Sequence, residues 1–290
     1  MRHLAVLVLL ASPLAAQQAP SQTRERVLER SVQASEAVRS QGVLHGLPAQ
    51  LSHDAVLVWP GAAVLQGTIA ITRFFDAQHS ITGANISWQL LHLEMARDSS
   101  LALAWGVAVV DRDSSTSASA THRIGRVLMA WKPVAGDWKI SALAFSGLLN
   151  GGETMWTDSL AARESPLLPS TGPAAKFIAA DSSFAALAER SGAQHAFTTF
   201  AAPDAVTFSG SGELAIGRAA IGAGFAGDDN HWSWGAVAAG ASSDGLLGWT
   251  VGQAVIAGKN GLSKSKYLTL WRRQSDGSIR FISDGGNGRP

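Results

Sequence analysis

The chain repeats itself. Val27 to Phe75 lies on Phe177 to Phe225 without a gap, each residue paired with the one 150 positions later. Identical pairs in that frame include Gly42/Gly192, His45/His195, Asp54-Ala55-Val56/Asp204-Ala205-Val206, Gly67/Gly217, Ala70-Ile71/Ala220-Ile221 and Phe75/Phe225. Further on the offset slips. Ser87-Trp88 matches Ser233-Trp234, Gly106 and Ala108 match Gly252 and Ala254, and Trp131 matches Trp271. The slips fall between predicted strands, where loops absorb insertions. One supersecondary plan is therefore written twice, and each copy is long enough to bury its own core.

Each copy reads as helix, short helix, strand, helix and then a run of strands. Val27, Leu28, Val32 and Val38 recur at helical spacing up to Gly42, a stop signal. A short helical segment at 44–51 leads to a turn at Ser52-His53-Asp54 and a strand at 55–59. A third helix spans about 69–77, and strands follow at 86–96, 101–110, 122–132 and 138–145. The second copy gives a helix at 174–190, a short helix near Phe197, a strand at 205–208, a helix at 219–225, and strands at 232–242, 245–257, 265–273 and 278–283. Helices followed by consecutive strands predict an α+β fold with helices gathered on one face of a curved antiparallel sheet. In the strand 101–110 one alternating face is large (Leu101, Leu103, Trp105) and the other small (Ala102, Ala104, Gly106, Ala108). Neither face is polar, so both must be covered, one by the domain's own helices and the other by a second sheet.

The expected organisation is a signal peptide at 1–16, domain 1 at 23–149, a Pro/Gly/Ser-rich linker at 150–173 with a short helix near 157–163, and domain 2 at 174–290. The basic Arg2, the apolar run from Leu4 to Ala11 and the small residues up to Ala16 read as an export signal, giving a secreted or periplasmic protein. No stretch has the ~18–20 apolar residues of a membrane helix. A net charge of +1, from 23 basic and 22 acidic residues, argues against nucleic acid as a partner. With zero cysteines the chain forms no disulfide, thiolate nucleophile or cysteine metal site. The eight histidines are scattered, His92, His122, Glu94 and Asp111 have no metal-ligand spacing, and neither metal nor cofactor is expected.

The residues Phe200-Ala201-Ala202-Pro203-Asp204-Ala205-Val206, Gly217-Arg218-Ala219-Ala220-Ile221, Trp234, Ser243-Asp244-Gly245-Leu246-Leu247-Gly248-Trp249, Tyr267-Leu268-Thr269-Leu270-Trp271-Arg272-Arg273 and Asp276-Gly277-Ser278 together resemble the nuclear transport factor 2-like superfamily, also called SnoaL-like or cystatin-like. The likeness covers nearly all of the second copy. The first copy matches more loosely, through Ser52-His53-Asp54-Ala55-Val56, Gly67, Trp88, Trp131 and Gly136-Asp137-Trp138. What the resemblance implies is two tandem cone domains, each a sheet wrapped round a helix to leave a pocket, packed sheet to sheet as a pseudo-dimer. A further oligomer stays open. The superfamily holds isomerases, dehydratases and many non-catalytic binding domains, so fold does not assign function.

Asp54/Asp204 read as turn carboxylates bonded to nearby backbone N–H groups, and His45/His195 as solvated. Asp181, beside the helix stripe Phe177, Phe184, Leu187, and Asp284, at the end of the last strand, are the candidate catalytic carboxylates, because an apolar cone raises a carboxyl pKa. Tyr267, the single tyrosine, is the candidate donor beside them. Isomerase members of the superfamily pair an Asp base with an oxyanion hole of Tyr and a protonated Asp. Trp234, Trp249, Trp271 and Phe184 are candidate pocket walls, their alternative being core filling. The resulting expectation is an exported tandem protein that binds a small apolar ligand or a partner without catalysis. The alternatives are an isomerase or dehydratase whose general base is a domain 2 carboxylate, and a purely structural pseudo-dimer.

Overall fold

The computed structural model describes residues 20–77, 84–112, 121–146, 172–208 and 214–289. The expected signal peptide and the helix near 157–163 lie outside the described residues. In the first half the elements are α1 (Pro20–Gly46), a 3₁₀ turn (Pro48–Gln50), β1 (Leu51–Val58), β2 (Leu65–Gln66), α2 (Thr68–Asp76), β3 (Ala84–Met95), β4 (Ala102–Arg112), β5 (Thr121–Val134) and β6 (Asp137–Ser146). The second half has α3 (Pro173–Ser191), α4 (Ala193–Phe200), β7 (Ala201–Phe208), β8 (Leu214–Ile216), α5 (Gly217–Ala223), β9 (His231–Ala241), β10 (Leu247–Gly258), β11 (Gly261–Arg273) and β12 (Ile279–Arg289).

The two halves form two six-stranded sheets of identical order, β2-β1-β6-β5-β4-β3 and β8-β7-β12-β11-β10-β9. All neighbouring strands run antiparallel except β1 beside β6 and β7 beside β12. This is the α+β, two-domain architecture expected. Helix α1 buries Val27, Ser31, Ala34, Ser35 and Val38, and α3 buries Phe177, Asp181, Phe184, Ala185 and Ala188, the same stripe 150 residues on. Gly42 interrupts α1 at φ 75°, and Gly192 separates α3 from α4 at φ 81°. A positive φ at both breaks is what lets the chain turn there, and it suits glycine alone.

Two boundaries differ from the expectation. The segment read as the turn Ser52-His53-Asp54 belongs to β1, and its counterpart belongs to β7. A register shift between Leu51 and Val56 places an irregular stretch inside the strand, which imitates turn chemistry in the sequence. β12 also continues to Arg289 through Gly285, Gly286 and Gly288, because its register with β11 persists to Lys264. Gly286 approaches β11 so closely that an added Cβ would overlap the Lys266 carbonyl. Glycine permits the approach that keeps the ladder going.

The doubly apolar strand is covered as foreseen. Ala102, Ala104 and Ala108 of β4 face the core under α1, together with Val127, Met129, Trp131, Leu143 and Phe145. Leu101 and Leu103 point the other way and share a core with Leu247, Trp249, Val251, Leu268 and Leu270 of the second sheet. The sheets thus meet face to face. Polar contacts rim this seam. Asp244 donates its backbone N–H to Asp98 Oδ2 at 2.7 Å, Asp98 N–H returns the bond to Asp244 Oδ2 at 3.4 Å, and Asn287 Nδ2 reaches Phe145 O at 2.8 Å.

Candidate functional site

Register defines which positions of the two domains correspond. Trp131 opposes Ala102 in one sheet and Trp271 opposes Gly248 in the other. Counting along the strands, Ala104 corresponds to Thr250, Val127 to Tyr267 and Met129 to Thr269. Leu143 opposes Met129 as Asp284 opposes Thr269, so those two correspond as well. On the helices Ser31 corresponds to Asp181. In domain 1 this interior is apolar and closed, with Ala104, Val127, Met129 and Leu143 all 0% exposed. In domain 2 every one of these positions carries a hydroxyl or a carboxyl.

Their hydrogen bonds fall into two sets, one centred on Asp181 and one on Asp284, which act on each other through charge. Tyr267 Oη donates to Asp181 Oδ1 at 2.9 Å and Thr250 Oγ1 donates to Asp181 Oδ2 at 2.7 Å. Behind them Trp271 Nε1 donates to Thr250 Oγ1 at 2.8 Å. Thr269 Oγ1 donates to Asp284 Oδ1 at 2.6 Å. The Tyr267 ring lies across Gly252 of β10, where even a Cβ would overlap its hydroxyl. Glycine at that position is what allows the phenol to reach the helix.

Asp181 is 1% exposed, and burial pushes its carboxyl up to about 6 against the lowering effect of the Thr250 and Tyr267 bonds. Asp284 is pushed up to about 7 by burial, the Thr269 bond lowers it, and the nearby Asp181 charge adds to the rise. The Asp181 charge opposes ionisation of Asp284, so the pair gives up its second proton less readily than its first. Burial, and after it the two carboxylates, raise the Tyr267 phenol well above its usual value. No basic side chain figures among the interactions that set these three groups. Lys266 is buried, but it alternates to the opposite face of β11 with Leu268 and Leu270, where its Nζ donates to Gly288 O at 3.3 Å. Asp284, Tyr267 and Trp234 all keep intermediate exposure although they point into the domain. Among the described residues no group of three His, Asp or Glu side chains is placed to hold a metal ion.

The structure brings the three nominated polar residues together, and it alters one role. Tyr267 was expected as a donor toward a substrate, yet its single proton is committed to Asp181. The aromatic candidates separate by position. Trp234 meets Phe184 edge to face at a centroid distance of 4.7 Å and stays partly exposed. Phe184, at 2%, and Trp271, at 0%, are buried behind it, so they support the site and do not line it. Trp249 lies elsewhere. It leaves the face of β10 opposite to Thr250, covers Gly240 of β9 and joins the core between the sheets. Thr250 and Thr269 were not among the sequence candidates; each is a single hydroxyl between apolar neighbours, Trp249 and Val251 for one, Leu268 and Leu270 for the other.

The other recurring residues take structural places. Asp54 pairs with Lys132 at 2.6 Å, and Asp204 pairs with Arg272 at 2.6 Å. These carboxylates sit in strands and bind cations across the sheet, where backbone N–H partners in a turn were expected. Against the effect of burial, those cations hold both carboxyls below the usual range. His45 and His195 are exposed.

No family model matches the chain, and no curated protein matches it. Solved structures do. The likeness is to NTF2-like proteins. One is an NTF2-like protein of unknown function from Pseudomonas putida KT2440, with 17% identity over 43% of this chain and 86% of that chain, at a TM-score of 0.36. A second is an NTF2-like protein with a cystatin-like fold from Novosphingobium aromaticivorans, with 19% identity over 46% of this chain and 86% of that chain, at a TM-score of 0.36. A third is an NTF2-like superfamily protein from Salmonella enterica, with 15% identity over 48% of this chain and 100% of that chain, at a TM-score of 0.36.

Proposed function

We propose that this is an exported tandem NTF2-like protein whose second domain binds a small, largely apolar molecule by a polar end, while the first domain serves as its built-in partner. One observation carries this reading: positions that fill domain 1 with Ala104, Val127, Met129 and Leu143 hold Thr250, Tyr267, Thr269 and Asp284 in domain 2, and two of those four remain partly accessible. Placing four polar side chains where apolar ones suffice costs stability, and a scaffold has no use for that cost. The export half of the reading rests on the basic, apolar and small-residue pattern of 1–16.

The test is a ligand screen by tryptophan fluorescence and thermal shift on the wild type and on a variant carrying the domain 1 residues, Thr250→Ala, Tyr267→Val, Thr269→Met and Asp284→Leu. Ligands that bind the wild type and not the folded variant support the site. Equal binding to both places the site elsewhere. For export, expression of the full chain in a bacterial host should give a mature N-terminus near Gln17.

A second reading has one observation in its favour. A carboxyl raised to about 7, with Oδ2 taking no hydrogen bond from the described residues, is suited to act as a general base near neutral pH. It predicts exchange of α-protons of small ketones into heavy water, lost in Asp284→Asn. The commitment of the Tyr267 proton to Asp181 leaves the oxyanion of such a reaction without its expected donor, which favours the binding reading.

A further inference from the structure

We infer that the second-domain site takes a cation: a protonated or quaternary amine carried on a small apolar body. This rests on the binding reading above and names the class of ligand. The argument follows the protons. Trp271 Nε1 is a donor only and gives its proton to Thr250 Oγ1, so the Thr250 hydroxyl must turn its own proton to Asp181. Tyr267 gives its proton to the other Asp181 oxygen, and Thr269 gives its proton to Asp284 Oδ1. Each of these hydroxyl and indole donors is consumed within the site. What remains for a ligand is the lone pairs of Tyr267 Oη and, once Asp284 has given up its own proton, of Asp284 Oδ2. A ligand that matches them has donors and no acceptor, which describes an ammonium.

Charge and shape agree with the proton count. The titratable groups facing the site are Asp181 from α3, Tyr267 from β11 and Asp284 from β12. β10 contributes Thr250 and β9 contributes Trp234, which do not titrate. The site holds two carboxyls and, among the described residues, no basic side chain facing them, so a cationic ligand would offset one of the two charges that their ionisation creates. Trp234, partly exposed and held edge to face by Phe184, offers the ring face over which a cation is attracted. Binding also has a defined proton balance. The Asp284 carboxylic acid loses its proton to solvent, and the resulting carboxylate pairs with the ammonium, which stays protonated.

The experiment uses matched probes on the whole protein: phenethyl and naphthylmethyl bodies, each as the ammonium, the alcohol and the carboxylate, titrated calorimetrically in two buffers of different ionisation enthalpy. Expected is an ammonium bound at least about tenfold more tightly than its alcohol, no binding of the carboxylate, and proton release near pH 7. Its affinity should fall by up to about tenfold per pH unit below 7. Asp284→Asn should abolish the preference for the ammonium and the proton release, with circular dichroism confirming the fold. Alcohol binding equal to or tighter than ammonium binding overturns the cation inference and leaves the binding reading standing. Failure of every probe, cationic and neutral, on a folded wild type overturns both.

Discussion

Where helix α1 turns Ser31 toward Trp88, helix α3 turns Asp181 toward Thr250 and Tyr267. In domain 1 the Trp88 indole donates to Ser31 Oγ at 3.1 Å, and its backbone N–H and carbonyl exchange bonds with Ser35 Oγ. The pairing ties strand to helix and closes the interior. In domain 2 the corresponding Trp234 packs on Phe184, and the helix is tied through Asp181 to two other strands. The difference reaches one step deeper. Trp131 Nε1 is buried with no hydrogen-bond partner among the described residues, whereas Trp271 Nε1 is satisfied by Thr250. One backbone plan thus tolerates both a dry filling and a wired polar cluster, and what separates them is a handful of side chains on the inner face.

The largest effect should come from placing the polar filling in the wrong domain. Leu143→Asp sets a carboxyl opposite Met129, which cannot donate a hydrogen bond, and should cost about 4 kcal/mol or more in denaturant unfolding at pH 7. A loss under about 1 kcal/mol would mean that domain 1 is as receptive as domain 2, and the comparison would fail.

Next in size is pH. Asp181 and Asp284 have folded pKa values raised above the unfolded value of 3.8. Below about 4 both states are protonated and nothing is lost. As pH rises the unfolded chain releases these protons while the native state holds them, so stability falls, with the full penalty present above about 7. The penalty is roughly 3 kcal/mol for Asp181 and roughly 4 kcal/mol for Asp284. Asp284→Asn and Asp181→Asn should therefore gain stability on the wild type between pH 4 and pH 8, read from guanidinium midpoints. A flat difference across that range would refute the buried-acid description.

Smaller still is Thr250→Val, which copies the domain 1 arrangement by orphaning Trp271 Nε1. It should cost about 1 to 2 kcal/mol and raise the Asp181 pKa further, observable by carboxyl carbon NMR. An unchanged Asp181 titration would mean that the Trp271–Thr250 chain does not hold it. The smallest effect belongs to the rim. Arg272 bridges Asp204 at 2.6 Å and Glu94 of the other domain at 2.9 Å, while its counterpart Lys132 pairs, among the described residues, with Asp54. Arg272→Lys should cost about 1 kcal/mol or less and diminish with salt.

Much of this plan was legible before the coordinates. The helix break at Gly42 and Gly192, the order of helices and strands along each copy and the two-faced strand at Leu101–Val110 follow from periodicity and turn chemistry, which are local. The unequal interior was legible in part, since Asp181, Tyr267 and Asp284 stand against Ser31, Val127 and Leu143 once the copies are aligned. Trp249 was misplaced because its neighbours are apolar on both faces, so composition could not tell the helix side of β10 from the sheet side. Thr250 and Thr269 were overlooked because a lone threonine in a strand carries no signal by itself.

By itself the sequence determined that one α+β unit is built twice, that both faces of its sheet are covered, and that the copies differ in polar residues. Repetition and alternation are one-dimensional properties, and a chain displays them openly. Only the tertiary structure decided which proton goes where: that Trp271 turns Thr250 toward Asp181, that Tyr267 spends its hydroxyl on the same carboxylate, and that no basic side chain among the described residues answers the two acids. Those are relations among residues 15 to 86 positions apart, joined when helix and sheet close, and their chemistry depends on the burial that closure creates.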